Sequence, residues 1–237
     1  MRTPDRLACS LVAAACLLLP SPASADPVVG QIDDFEDGTT QGWLINLLGM
    51  GSPPAEALPT NVTTGGPGGL DDNYLRLTSL GVAGAGGRLV ALNLDPRWTG
   101  DYLSSGVAAI TMDLINLGST DLSLRLLFEH VEAGPPTDVA FTTDAVFLAA
   151  GGGWTSATFR VGLDDLTAAL GSVEAALGDV SVVRLYHSPA AGFPGPPTAA
   201  QLGVDNIRAT AVPEPASIAM LLAGVLGAGL AAGRRGS

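Results

Sequence analysis

Lysine is absent from the 237 residues, aromatic residues make up 5% of them and charged residues 14%. Cysteine occurs twice, at Cys9 and Cys16, and histidine twice, at His130 and His187. Both cysteines precede Asp26. The rest of the chain therefore forms no disulfide, no thiolate nucleophile and no zinc–thiolate site. Positive charge is scarce: residues 26–212 hold seven arginines against 21 acidic residues, a net charge of −14. So acidic a surface repels phosphate backbones, which excludes nucleic acid as a partner. There is no Gly-x-Ser-x-Gly elbow, and the two histidines share no metal-ligand spacing. A carboxylate pair for glycoside hydrolysis could be drawn from so many acids, but most are solvated. The chain reads as a non-enzyme, with a glycan-active enzyme as a lesser alternative.

Both ends are apolar. Arg2 and Arg6 precede an apolar run over 7–19, broken by Pro20, Ser21 and Pro22, and Ala23-Ser24-Ala25 is a small-x-small cleavage site. Residues 1–25 are thus expected to be a secretory signal helix, cleaved after Ala25. A lipoprotein signal at Cys16 lacks the leucine expected three places upstream. At the other end, Val212-Pro213-Glu214-Pro215-Ala216 precedes an apolar stretch over 217–233, which Arg234-Arg235 closes. Its seventeen residues are at the short end of what spans a hydrocarbon core of roughly 30 Å. A transmembrane helix over 217–233 is expected, with its arginines in the cytoplasm and 26–212 outside.

Pro213-Glu214-Pro215, the short apolar span and Arg234-Arg235, in this order, resemble the PEP-CTERM sorting signal. The resemblance covers 213–237. It implies an exosortase partner that processes the tail, a membrane-anchored intermediate, and a final place at the cell surface or in the exopolysaccharide matrix of a Gram-negative bacterium. Ice binding needs a regular array of threonines, and Thr60, Thr63, Thr64, Thr142 and Thr143 follow no repeat.

The stretch 26–212 between the ends is long enough for one domain with a real core. Leu122, Leu124, Leu126 and Phe128 alternate with Ser123, Arg125 and Glu129, which predicts a strand over 122–129 with one apolar face. Residues 110–117 alternate likewise, and Gly118-Ser119-Thr120-Asp121 predicts a hairpin turn between the two. Further strands are expected at 31–35, 74–79, 88–93, 139–148, 155–161, 180–187 and 204–211. Leu166, Leu170, Val173 and Leu177 recur at helical spacing behind Asp164 and Asp165, which predicts one helix. The glycine–proline stretches 49–54, 65–69 and 192–197 are loops. The expected fold is mostly β, an antiparallel β-sandwich of jelly-roll type with one short helix, occupying 26–212.

Asp33-Asp34-Phe35-Glu36-Asp37-Gly38, followed by Gln41-Gly42-Trp43, resembles the opening of galactose-binding-like jelly rolls. Gly203-Val204-Asp205-Asn206-Ile207 resembles their closing strand. Tyr74-Leu75-Arg76-Leu77-Thr78 looks like an early strand, and Trp98-Thr99-Gly100-Asp101-Tyr102-Leu103 is similar to the laminin IV variant. The resemblance spans most of 30–210. It implies that the first and last strands lie side by side, with a structural Ca²⁺ between them held by Glu36 and Asp205, completed by Asp34 or by Asp71-Asp72. Hard-cation chemistry suits those carboxylates. Equally, Asp34 and Glu36 read as a polar edge and Asp205 as a turn cap. A sugar site needs aromatic platforms. Trp43 and Trp154 follow glycines and read as core, whereas Trp98 stands in a polar loop, so Trp98 and Tyr102 are the candidate ligand-binding pair. The expected function is an exported, non-catalytic matrix or surface protein whose domain contacts polysaccharide or another matrix protein. A purely structural protein without a defined ligand is the alternative.

Overall fold

Leu122, Leu124, Leu126 and Phe128 lose all solvent contact in the computed structural model, as their alternation requires. The structure describes residues 26–45 and 51–211. Ala25, the signal, the sorting residues Pro213, Glu214, Pro215, Arg234 and Arg235, and the expected membrane span lie outside the described residues. Among the described residues no helix is long and apolar enough to cross a membrane.

Twelve strands are described: β1 (Ile32–Asp33), β2 (Thr60–Val62), β3 (Tyr74–Leu80), β4 (Val90–Asn93), β5 (Ala109–Asn116), β6 (Leu122–His130), β7 (Asp138–Thr142), β8 (Val146–Leu148), β9 (Thr155–Arg160), β10 (Leu166–Leu170), β11 (Val182–His187) and β12 (Ala199–Thr210). A short helix α1 (Val173–Gly178) precedes β11. The strands form two six-stranded antiparallel sheets. The first runs β2-β3-β12-β5-β9, with β1 on β12; the second runs β10-β7-β6-β11-β4, with β8 on β6. Their inner faces share one core, in which Leu75, Leu114 and Val204 from the first sheet join Leu124, Phe128 and Leu185 from the second. This is the expected sandwich, and β1 pairs with β12 through Ile32–Arg208 and Asp33–Ile207.

Three expectations change. β5 and β6 do not form a hairpin: β5 pairs with β12 and β9, and β6 with β11, β7 and β8. Alternation assigns faces, not partners, and the 117–121 turn crosses between the sheets. Asn116 holds that crossing, donating through Nδ2 to the carbonyls of Thr120 (2.8 Å) and Leu148 (3.2 Å). The helix begins late, because Leu166–Leu170 is a strand on β7 and Gly171 then turns the chain at φ +61°. Of the expected helix, α1 remains, and Ser172 caps it by accepting from Ala175 N–H at 3.0 Å. Finally, the 139–148 run splits into β7 and β8.

Candidate functional site

The outer face of the second sheet carries the site. Alternation on β11 sends Val183 and Leu185 inward, and Arg184 and Tyr186 outward. The same parity puts Glu129 and Leu127 of β6, Val139 and Phe141 of β7, and Val90 of β4 on the outer face. That face is not left to water: Leu127, Val139, Phe141, Tyr186 and Val90 pack there as a second, smaller apolar cluster. Loops rise around it at 84–86, 135–136 and 193–195, enclosing a groove of about 510 Å³.

One ion pair is fixed in the groove wall. Arg184 donates through Nε and Nη2 to the two carboxylate oxygens of Glu129, both at 2.8 Å, with the side chains only 8% and 5% exposed. A bidentate fork of this kind holds both planes rigidly. The guanidinium carbon lies 5.8 Å from the Phe193 ring centroid, within cation–π range. Phe193 meets Tyr186 edge-on at 5.2 Å and is 37% exposed, so it offers an apolar ring face at the rim. Tyr186 donates to the Gly192 carbonyl at 3.3 Å, and burial pushes its hydroxyl above the ordinary tyrosine range. A groove with an exposed ring, apolar walls and a few fixed polar groups can hold a sugar chain. Sequence reasoning places Glu129 only on the face opposite the core and names none of Arg184, Tyr186 and Phe193 as site residues. The sequence shows Arg184 and Tyr186 alternating with Val183 and Leu185, and only the burial of all six residues of β11 marks them as more than a polar face.

Trp98 and Tyr102 are not ligand-binding platforms. Trp98 is fully buried, and its indole N–H donates to Asp33 Oδ2 at 2.8 Å, beside the Trp43 indole at 2.9 Å. Arg97 pairs with the other oxygen of Asp33 at 3.0 Å. Tyr102 is buried too, donating to the Trp98 carbonyl at 2.9 Å. The polar loop folds its indole inward because Asp95 turns the backbone, accepting from Arg97 N–H at 2.9 Å. Trp154, expected in the core, instead lies partly exposed on the outer face of the first sheet against Tyr74. Gly203 lies under that pair, where a Cβ would come within 2.6 Å of Ile115, 3.1 Å of Trp154 and 3.2 Å of Tyr74.

The carboxylates read as calcium ligands are partly brought together. Burial pushes the Asp205 carboxyl up to about 7, and the charges of Asp72, Asp113 and Glu36 push it the same way. Asp113 lies directly across from it on β5. Glu36 accepts from Asn73 N–H at 2.8 Å, whereas Asp34 caps the turn at Glu36 N–H (3.3 Å) and meets Gln41 (3.4 Å). Among the described residues, no group of three or more carboxylates or histidines is spaced to hold a metal ion. The histidines are spoken for: His187 Nδ1 accepts from Ser123 N–H at 3.0 Å, and His130 Nδ1 lies 2.7 Å from the Asp179 carbonyl.

The fold is similar to that of an exo-beta-agarase, with a TM-score of 0.53 at 14% identity over 78% of this chain and 25% of that one. It is also similar to the family 11 carbohydrate-binding module of the cellulosomal cellulase Lic26A-Cel5E of Clostridium thermocellum. There the TM-score is 0.50 at 12% identity, over 79% of this chain and 97% of the module. The solution structure of CtCBM11 gives 0.51 at 13% identity, over 78% and 98%. The chain thus spans a quarter of the agarase and nearly all of each module, and at these identities the likeness is one of fold. No family model and no curated protein matches the sequence.

Proposed function

We propose that the sandwich is a non-catalytic domain that binds polysaccharide in the groove over the second sheet. The groove itself carries this reading: Phe193 offers a ring face beside the fixed Arg184–Glu129 pair, at the end of a wall lined by apolar side chains. The carbohydrate-binding modules that share the fold support it, since they are single domains of this extent. The proposal includes export by residues 1–25 and sorting by an exosortase through the 213–237 tail, to the cell surface or exopolysaccharide matrix. The test is affinity electrophoresis of residues 26–212 through gels containing neutral soluble polysaccharides, beside Phe193→Ala. Losing one stacking ring should weaken retention about tenfold, at roughly 1.4 kcal/mol per factor of ten. Equal retention of both proteins would move the site elsewhere. No retention on any polymer would leave a structural matrix role.

A structural calcium is a separable part of this proposal. Carboxylate donors suit a hard cation, although the described spacing closes no coordination shell. What supports a cation near Asp205 is the negative charge of Asp72, Asp113 and Glu36 around its carboxyl.

A further inference from the structure

At one end of the first sheet the chain leaves the sandwich beside a second concavity, which shares no wall residue with the polysaccharide groove. It measures about 960 Å³, and its walls are the 102–109 segment, the end of β9 with Val161, and Thr210 and Ala211, the last described residues. The backbone ties these walls together: Ala108 N–H donates to the Thr210 carbonyl at 2.8 Å, and Val161 N–H to the Ala108 carbonyl at 2.9 Å. Leu103, in the wall, is 45% exposed, and Leu163, next to the wall residue Gly162, is 50% exposed. An apolar surface of this kind calls for a cover.

We propose that this groove seats the chain's own C-terminal segment, with the apolar stretch 217–233 lying in it when no membrane is present. Ala211 is itself a wall residue, and the sequence runs on from it to Ser237. Only 212–216 separate the groove from the stretch. A tether so short gives an effective concentration on the order of millimolar, so even weak docking is populated. Residues 217–233 contain no charged side chain, and docking removes two apolar surfaces from water at once. Charge is complementary in sign: the wall carries the exposed Arg160 near the exit of a tail that continues to the acidic Glu214, and Arg234 and Arg235 bring positive charge to a domain of net charge −14. Docking shields the stretch from other molecules until a bilayer takes it up. The inference is independent of what the other groove binds.

Residues 26–237 contain no cysteine, so a pair can be placed cleanly. The chain 26–237 carrying Leu103→Cys and Ala223→Cys is oxidised in detergent-free buffer, beside a control with Leu58→Cys and Ala223→Cys. Leu58 is exposed next to β2, at the opposite edge of the first sheet from β9. An intramolecular bridge in the first pair and not in the control is expected. Equal bridging of both pairs, or intermolecular dimers alone, would overturn the proposal. Hydrogen exchange gives a readout without new residues, since 26–212 contains both sheets entire. Amides of 102–109 and 161–166 should exchange at least tenfold more slowly in 26–237 than in 26–212, and equal rates would overturn it.

Discussion

Asp33 has no solvent contact, two indole N–H groups on one carboxylate oxygen and the Arg97 guanidinium on the other. Burial raises its carboxyl, and the indoles and Arg97 pull it back down. The residue therefore joins β1 to two loops that hold Trp43 and Trp98, and its worth lies in what removal strands. Asp33→Ala leaves two buried indole N–H donors without their acceptor and the Arg97 guanidinium without its ion-pair partner, and should cost about 3–5 kcal/mol in urea unfolding. Asp33→Asn keeps an acceptor of the same shape and sheds the buried charge, so a loss of about 1–2 kcal/mol is expected. Near-equal losses in the two variants would mean that volume, not the acceptor, is what matters. The sequence could not announce this node. Asp33 and Trp98 stand far apart in the chain, and a polar loop around an indole looks the same whether the ring points out or in.

At the scale of elements, strand β6 was legible because strict alternation has only one meaning on a pleated sheet, and β3, β5 and β9 were legible for the same reason. Partner choice was not, since β5 and β6 share a turn yet belong to different sheets. The first half of the expected helix, 166–170, is a strand for another reason: leucines four apart satisfy a helix, but Leu170 is half exposed and 166–170 pairs with β7, so that only 173–178 is helical. The site sits on β6 and β11, whose outer faces carry a charge pair that burial alone makes conspicuous. Removing one partner, as in Glu129→Leu, leaves Arg184 buried and unpaired, and should cost about 3–5 kcal/mol. Replacing both, with Glu129→Leu and Arg184→Met, should return stability to within about 1 kcal/mol of the parent while polysaccharide retention stays lost. Retention that survives in the stable double variant would remove the pair from the binding site.

Across the whole molecule the first and last strands close on each other, and the carboxylates of Glu36, Asp72, Asp113 and Asp205 gather near that closure in a domain already at −14. The Asp205 carboxyl stands at about 7 in the folded protein, against an ordinary value of 3.8 when unfolded. Between those values the folded state holds a proton that the unfolded chain has released. Its contribution to stability is full below about pH 4 and is lost as pH rises to about 7. Asp37 and Asp101 lie below their ordinary values through local hydrogen bonds, so their contributions fail only in stronger acid. His187, lowered by burial, works against Asp205 as pH falls below about 6.5. Comparing the parent with Asp205→Asn cancels that background. In chelator, the parent should lose roughly 1–3 kcal/mol more than Asp205→Asn between pH 4.5 and pH 8, or several degrees of Tm for a domain of this size. A matching pH slope in the two proteins would clear Asp205 of the effect. A cation between Glu36 and Asp205 binds only the ionised form, so millimolar calcium at pH 8 should recover most of the parent's loss and none in the variant. A parent Tm at pH 8 that ignores calcium would sink the metal and leave the acidic cluster as a pH-dependent clasp on the two chain ends.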